Sequence, residues 1–230
     1  MAQFQPSFPT SFSQRTPCML VLDASGSMAA RINGGERTRI DELNNGLKLL
    51  KNELCEDETA SVRVQLAIVS VGGPEHRAEL IMDWTDATEF DPPVMEADGP
   101  TPLGQGMRLA LHHVDRHKAN LNQFGIPYTR PWIMVISDGE PSDRGNVWKA
   151  ITEECRAAEA AKRCVIFPIG VEDGNLDILQ ELSNTRAARL SSTNFGKYFQ
   201  WLSASLSCVS RSQGMDSVAL PATDPWAYFR

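Results

Sequence analysis

A chain of 230 residues, 42% apolar and 22% charged, is long enough for one α/β domain with a sizeable core, and a second full domain is not expected. Lys and Arg number 22 against 29 Asp and Glu, and the net charge of −7 comes with no basic stripe or cluster, which argues against nucleic acid and an anionic membrane as partners. No apolar stretch approaches the length of a membrane span, and the N-terminus lacks a basic region followed by an apolar core, so a cytoplasmic location is expected. Cys18, Cys55, Cys155, Cys164 and Cys208 are odd in number, scattered and free of any C-x-x-C pair. They read as reduced thiols rather than as disulfides or zinc ligands.

Residues 1–16 are rich in Ser, Pro, Gln, Phe and Thr and are expected to form an irregular arm, in which Phe4, Phe8 and Phe12 are spaced by four. The main domain is expected over 17–208, opening with the apolar run 19–22, which is too short for a buried helix and reads as a buried strand. Residues 29–39, with Gly34, Gly35 and three arginines, read as a surface loop available for partner contacts. Ile40, Leu43, Leu47, Leu50 and Leu54 predict an amphipathic helix over 39–55. Val62, Val64, Leu66, Ile68 and Val71 predict a strand over 61–71, closed by Gly72, Gly73 and Pro74 and followed by an antiparallel partner over 78–84.

The acidic stretch 85–100 has no period and is expected to be a solvated connector, the alternative being a rim that selects partners. Leu103, Met107, Leu111 and Val114 predict a helix over 103–121, with Pro102 in its first turn. His112, His113 and His117 on that helix are assigned to a solvated face, because no third and fourth ligand accompanies the pair His113 and His117. Strands over 131–137, 165–171 and 187–190 alternate with helices over 148–162, 175–182 and 195–206. Residues 209–230 form a polar tail holding Pro221, Pro225, Trp226, Tyr228 and Phe229, which either docks on a partner or folds back. The alternation predicts an α/β fold: a doubly wound, mostly parallel, Rossmann-like sheet of about six strands with one antiparallel edge strand and helices on both faces.

The apolar run 19–22 ends in D-x-S-x-S, that is Asp23, Ser25 and Ser27 around Gly26. Alternate residues of an extended segment point the same way, so these three oxygen-bearing side chains converge while Ala24 and Gly26 face away. One carboxylate and two hydroxyls suit a small hard cation that keeps open positions, Mg2+ above all. The plainer reading is that Asp23 and the serines cap a turn and the next helix. Two later stretches add oxygen: Thr101 in G-P-T-P-L-G-Q-G, just ahead of a helix, and Asp138 in W-I-M-V-I-S-D-G, at the end of another apolar strand. In this order the three pieces resemble the metal-ion-dependent adhesion site (MIDAS) of von Willebrand factor type A (VWA) domains. The resemblance implies that Asp23, Ser25, Ser27, Thr101 and Asp138 hold Mg2+, or Mn2+ or Ca2+, with Asp138 acting through water. It also implies that an Asp or Glu of a protein partner completes the coordination sphere.

The segments G-x-T-P-L-G at 99–104 and S-D-G-x-P-S-D at 137–143, with the compact form, are similar to bacterial VWA proteins of the tellurium-resistance TerY type. That similarity implies a cytosolic, non-enzymatic scaffold in a phosphorylation-linked stress module, with a PP2C-type protein phosphatase and a Ser/Thr kinase as partners. The competing reading is a Mg2+-dependent phosphohydrolase of the haloacid dehalogenase type with Asp23 as nucleophile. That family resembles D-x-D-x-T or D-x-D-x-V at this place, whereas here Ser25 stands where the second carboxylate would be. Neither G-x-x-x-x-G-K nor G-x-S-x-G occurs. A metal-independent scaffold, with the site as a structural brace, is the third reading.

Overall fold

The computed structural model describes residues 13–138, 140–172, 174–191, 194–212, 218–223 and 227–228. The strands are β1 (Thr16–Ala24), β2 (Val64–Gly72), β3 (Arg77–Asp86), β4 (Trp132–Ser137), β5 (Val165–Val171), β6 (Ala188–Leu190) and β7 (Ala227–Tyr228). The helices are α1 (Arg39–Glu56), α2 (Ala60–Arg63), α3 (Leu103–Gln123), α4 (Asn146–Ala160), α5 (Leu176–Gln180) and α6 (Phe195–Arg211). The strands form one sheet in the order β3-β2-β1-β4-β5-β6-β7, parallel from β2 to β6. β3 pairs antiparallel with β2 at one end, as the short Gly-Pro connection predicts.

Side-chain alternation along β1 sorts the core into two layers. Cys18, Leu20, Leu22 and Ala24 pack with Leu43, Leu47 and Leu50 of α1 and Phe199, Leu202 and Leu206 of α6. Met19 and Val21 pack with Met107 and Leu111 of α3 and Ile151 and Cys155 of α4. Helices therefore cover both faces, each fully buried Leu contributing about 2 kcal/mol. The same alternation continues to the strand ends. Asp23 follows Met19 and Val21 on the α3/α4 face, and Ser137 follows Ile133 and Val135 there, with β1 and β4 in register at Leu22 and Ile136.

Several elements differ from the sequence expectations. Residues 61–63 belong to the helical turn α2 rather than to a strand, because Asp57 Oδ1 accepts from the amides of Thr59 (3.0 Å) and Ala60 (2.8 Å) and nucleates a turn; Val62 is left 50% exposed. The stretch 85–100 is not a solvated connector. Its Ala87, Phe90 and Met95 are buried in the α1/α6 core, and Asn44 of α1 both donates to Met95 O and accepts from Met95 N at 2.9 Å. The loop 29–39, by contrast, lies at the surface as expected, with Arg31, Glu36 and Arg37 exposed; it makes a 3-10 turn at Ile32–Gly34 and is closed by a bridge between Arg31 and Thr38.

Part of the tail folds back. Val218 and Leu220 pack against the core, Trp201 Nε1 donates to Pro221 O at 2.9 Å, and β7 covers the outer edge of β6 as a short antiparallel strand. Phe4, Phe8, Phe12, Pro225, Trp226 and Phe229 lie outside the described residues. Cys18, Cys55, Cys155, Cys164 and Cys208 are free thiols, and burial pushes that of Cys164 up to about 12.

His117 is not on a solvated face either. Its ring stacks on Trp84 with centroids 4.3 Å apart, and Nε2 lies 2.8 Å from Gln65 Oε1. Burial pulls its pKa down to about 4, so the folded state resists a proton that the unfolded chain accepts near pH 6.5. The stability from this site is full above pH 6.5 and is lost as pH falls from there to about 4, by at most about 2 kcal/mol once partial exposure is allowed for. Urea titrations of wild type and His117→Gln should diverge over that window, the wild type losing more on acidification; parallel pH profiles would refute it.

Candidate functional site

The parallel strands β1 and β4 lead their chains in opposite directions across the sheet, β1 continuing to β2 and β4 to β5, so their carboxyl ends flank the crevice where chain order reverses. Asp23 stands at the end of β1 with no exposed surface. Its Oδ1 accepts from Ser25 N at 2.8 Å, and its Oδ2 accepts from the Ser137 hydroxyl at 2.5 Å. The hydroxyls of Ser25 and Ser27 are 2.9 Å apart, Ser25 buried and Ser27 exposed. The oxygens of D-x-S-x-S are gathered, but not by the alternation of an extended segment: β1 ends at Ala24, and the 3-10 turn Gly26–Ala29 brings the Ser27 hydroxyl back to that of Ser25.

Thr101 is buried, and its segment meets the Ser25 turn through Gly99 and Pro100. Gly26 N donates to Gly99 O at 3.0 Å, and Gly72, at φ +89°, fills the space between Ser25 and Pro100. A Cβ on Gly72 would lie 2.7 Å from Pro100 O and 2.9 Å from Ser25 N and Cα. Thr101 O accepts from Leu103 N at 2.7 Å and from Ser142 N at 2.8 Å, which joins the approach to α3 to the loop after β4.

Asp138 follows β4 and is 9% exposed; its carbonyl accepts from Asn175 N at 3.1 Å, and Gly174 packs flat against its backbone. The Asp23 carboxyl is pushed up to about 6, first by burial and then by the nearby Asp138 carboxylate, with hydrogen bonds from Ser137 and Ser25 opposing the rise. Two carboxylates near each other therefore want positive charge.

Two contributors were not legible from the sequence. Arg39, the first residue of α1, places Nη1 3.8 Å from Asp138 Oδ2. Asp143 accepts from Gly104 N at 3.1 Å and Gln105 N at 2.8 Å, satisfying the start of α3, where Pro102 offers no side-chain cap. The missing cap at T-P-L-G-Q was the signal that an acid from elsewhere had to supply it. Asp143→Ala should cost about 1 kcal/mol in chemical denaturation; an unchanged midpoint would show that water replaces the carboxylate without loss.

The groups gathered here, the Asp23 and Asp138 carboxylates with the Ser25 and Ser27 hydroxyls, are oxygen throughout and fit a hard divalent cation. Among the described residues no group of three or more His, Cys, Asp or Glu side chains is placed to hold a metal ion.

No protein-family model and no curated protein matches the chain. Solved structures do. The chain is similar to the VWA domain of SpRpn10, at 13% identity and a TM-score of 0.55 over 80% of this chain and 93% of that one. It is similar to the pilus adhesin SpaC from Lactobacillus rhamnosus GG, at 13% identity and 0.62 over 87% of this chain and 31% of that one. A third is the vWF domain of the type V pili tip protein Mfa5 from Porphyromonas gingivalis, at 12% identity and 0.56 over 87% of this chain and 98% of that one. The chain has the VWA fold.

Proposed function

We propose that this chain is a non-enzymatic protein-interaction module that docks its partner through a divalent cation, Mg2+ or in its place Mn2+ or Ca2+, held by Asp23, Ser25, Ser27, Thr101 and Asp138. The observation that carries this reading is the meeting of buried Asp23 with the Ser25 and Ser27 hydroxyls, beside Asp138, at the crevice between β1 and β4. Hydroxyl ligands bring no charge, so a cation held this way stays electron-poor and takes a carboxylate as a further ligand. An Asp or Glu of a protein partner is the group proposed to supply it.

A hydrolase at the same place needs a second acid–base carboxylate two residues after the nucleophile. Ser25 occupies that position, its hydroxyl paired with Ser27 and its amide with Asp23. The narrower proposal is a cytoplasmic scaffold of the TerY type, serving a phosphatase of the PP2C class and a Ser/Thr kinase in a stress or tellurite-resistance module. Its support is the pair of segments 99–104 and 137–143, which contact each other through Ser142 N to Thr101 O and Asp143 to Gly104 N.

The test is capture of partners from the native lysate on wild type and Asp23→Ala, each in Mg2+ and in chelator, with bound proteins identified by mass spectrometry. A kinase or phosphatase held only by wild type in Mg2+ is the expected result. Equal retention in all four conditions would remove the metal from the docking surface.

A further inference from the structure

Arg39 is fixed as the first residue of α1 by the capping box below it, in which Asp41 N donates to Thr38 Oγ1 at 3.2 Å and Thr38 N to Asp41 Oδ2 at 2.9 Å. The Arg39 side chain is 16% exposed. Its Nε and Nη2 both donate to Glu172 Oε2, at 3.0 and 2.5 Å, while Nη1 stands 3.8 Å from Asp138 Oδ2. Glu172 is itself anchored: it takes a left-handed φ of 49°, its amide donates to Leu190 O at 2.8 Å, and its carbonyl accepts from Arg189. The guanidinium is thus held in place by groups other than Asp138. It presents a charge that a protein cannot remove by deprotonation.

We propose that Arg39 is a built-in counter-charge that holds down the affinity of the Asp23–Asp138 site for a divalent cation. The proposal rests on the metal-docking reading above and adds the residue that tunes it. The guanidinium already offsets part of the negative charge of Asp138, and it opposes the approach of a second cation to the same carboxylate, since the Coulomb energy falls only as the inverse of distance. Glu172 balances the net charge of the pair but does not remove the positive end beside Asp138. Cation affinity would then be set jointly by the five oxygen ligands and by this one arginine, which contributes no ligand.

The test is Mn2+ binding, read from the electron paramagnetic resonance signal of the free ion, for wild type, Arg39→Lys, Arg39→Gln and the double variant Arg39→Gln/Glu172→Gln, with folding checked by circular dichroism. Arg39→Gln is expected to bind Mn2+ roughly threefold to tenfold more tightly than wild type, and Arg39→Lys, which keeps the charge, to resemble wild type. A residue that merely shaped the site would weaken binding in both. Folded Arg39→Gln with equal or weaker affinity overturns the proposal, and so does equal tightening in Arg39→Lys. Should Arg39→Gln fail to fold because Glu172 is left unpaired, the double variant decides: tighter than wild type supports, equal or weaker overturns. Absence of Mn2+ binding by wild type itself is a separate result, and it overturns the metal reading together with this proposal.

Discussion

Asp23→Asn should raise the melting temperature of the metal-free protein and abolish its response to divalent ions. The Asp23 carboxylate is fully buried beside Asp138, and its pKa is pushed from 3.8 up to about 6. A carboxyl whose folded pKa lies above its unfolded one favours the folded state when protonated. That stability is complete below about pH 4 and is lost as pH rises through about 6, so at neutral pH the charged form costs about 3 kcal/mol. Asparagine keeps the geometry: its carbonyl accepts from Ser25 N as Oδ1 does now, and its amide donates to the Ser137 hydroxyl, which reverses its role. The charge is gone, and with it the one fully buried carboxylate of the proposed ligand set. In chelator at pH 7 the variant should melt several degrees above wild type. The gap should close on acidification towards pH 4, and added Mg2+ should stabilise wild type alone. A variant that melts below wild type in chelator, or that still gains from Mg2+, would contradict this account of the site.

Gly72→Ala should cost about 3 kcal/mol and detach the Thr101 segment from Ser25. The residue ends β2 at φ +89°, a conformation that penalises any Cβ by about 1 to 2 kcal/mol. Overpacking adds a similar amount, because the new carbon would stand 2.7 Å from Pro100 O and 2.9 Å from Ser25 N and Cα. Both obstacles are backbone, so no side chain can swing aside. The chain must instead open between Ser25 and Pro100, and Thr101 moves with it. Gly125→Ala is the matched control: φ is +66° but nothing lies within 4 Å of its added carbon. Urea denaturation should place the control near 1 kcal/mol and Gly72→Ala well beyond it, with Mn2+ binding lost only in the latter. Equal costs at the two glycines would show that Ser25 and Pro100 are not held against Gly72.

Asp23, Ser25 and Ser27 were legible because they are close neighbours at a strand end, although a period of two was the wrong reason: Ser27 sits in the 3-10 turn Gly26–Ala29, which the spacing did not reveal. Asp138 was legible because a short apolar run that stops on a carboxylate marks a strand end. Ser137 was quoted in the same motif without a role; its hydroxyl reaches Asp23 only because β1 and β4 lie side by side in register. Arg39 read as the junction of a surface loop and the helix 39–55, with nothing to single out its side chain, because its partners Asp138 and Glu172 are far along the chain. The stretch 85–100 looked solvated because its acidic residues are interleaved with its apolar ones in no regular period. Three of the apolar ones, Ala87, Phe90 and Met95, are buried and bind it to the core. His117 misled for the complementary reason: nothing in a helical period reveals Trp84 on a neighbouring strand.

The resemblance to the adhesion-site motif supplied Thr101 and the full set of five proposed ligands; local periodicity and strand-end chemistry by themselves determined the α/β class, the helices on both faces and the carboxylates Asp23 and Asp138 at strand ends. Those properties depend on neighbours within one turn or one strand. The tertiary structure alone decided what surrounds the ligands: Arg39 beside Asp138, Asp143 at the start of α3, and Gly72 wedged between Ser25 and Pro100. It also decided the pressure on Asp23, since burial and a second carboxylate act through distance in space, and distance in space is not written in the spacing of residues along a chain.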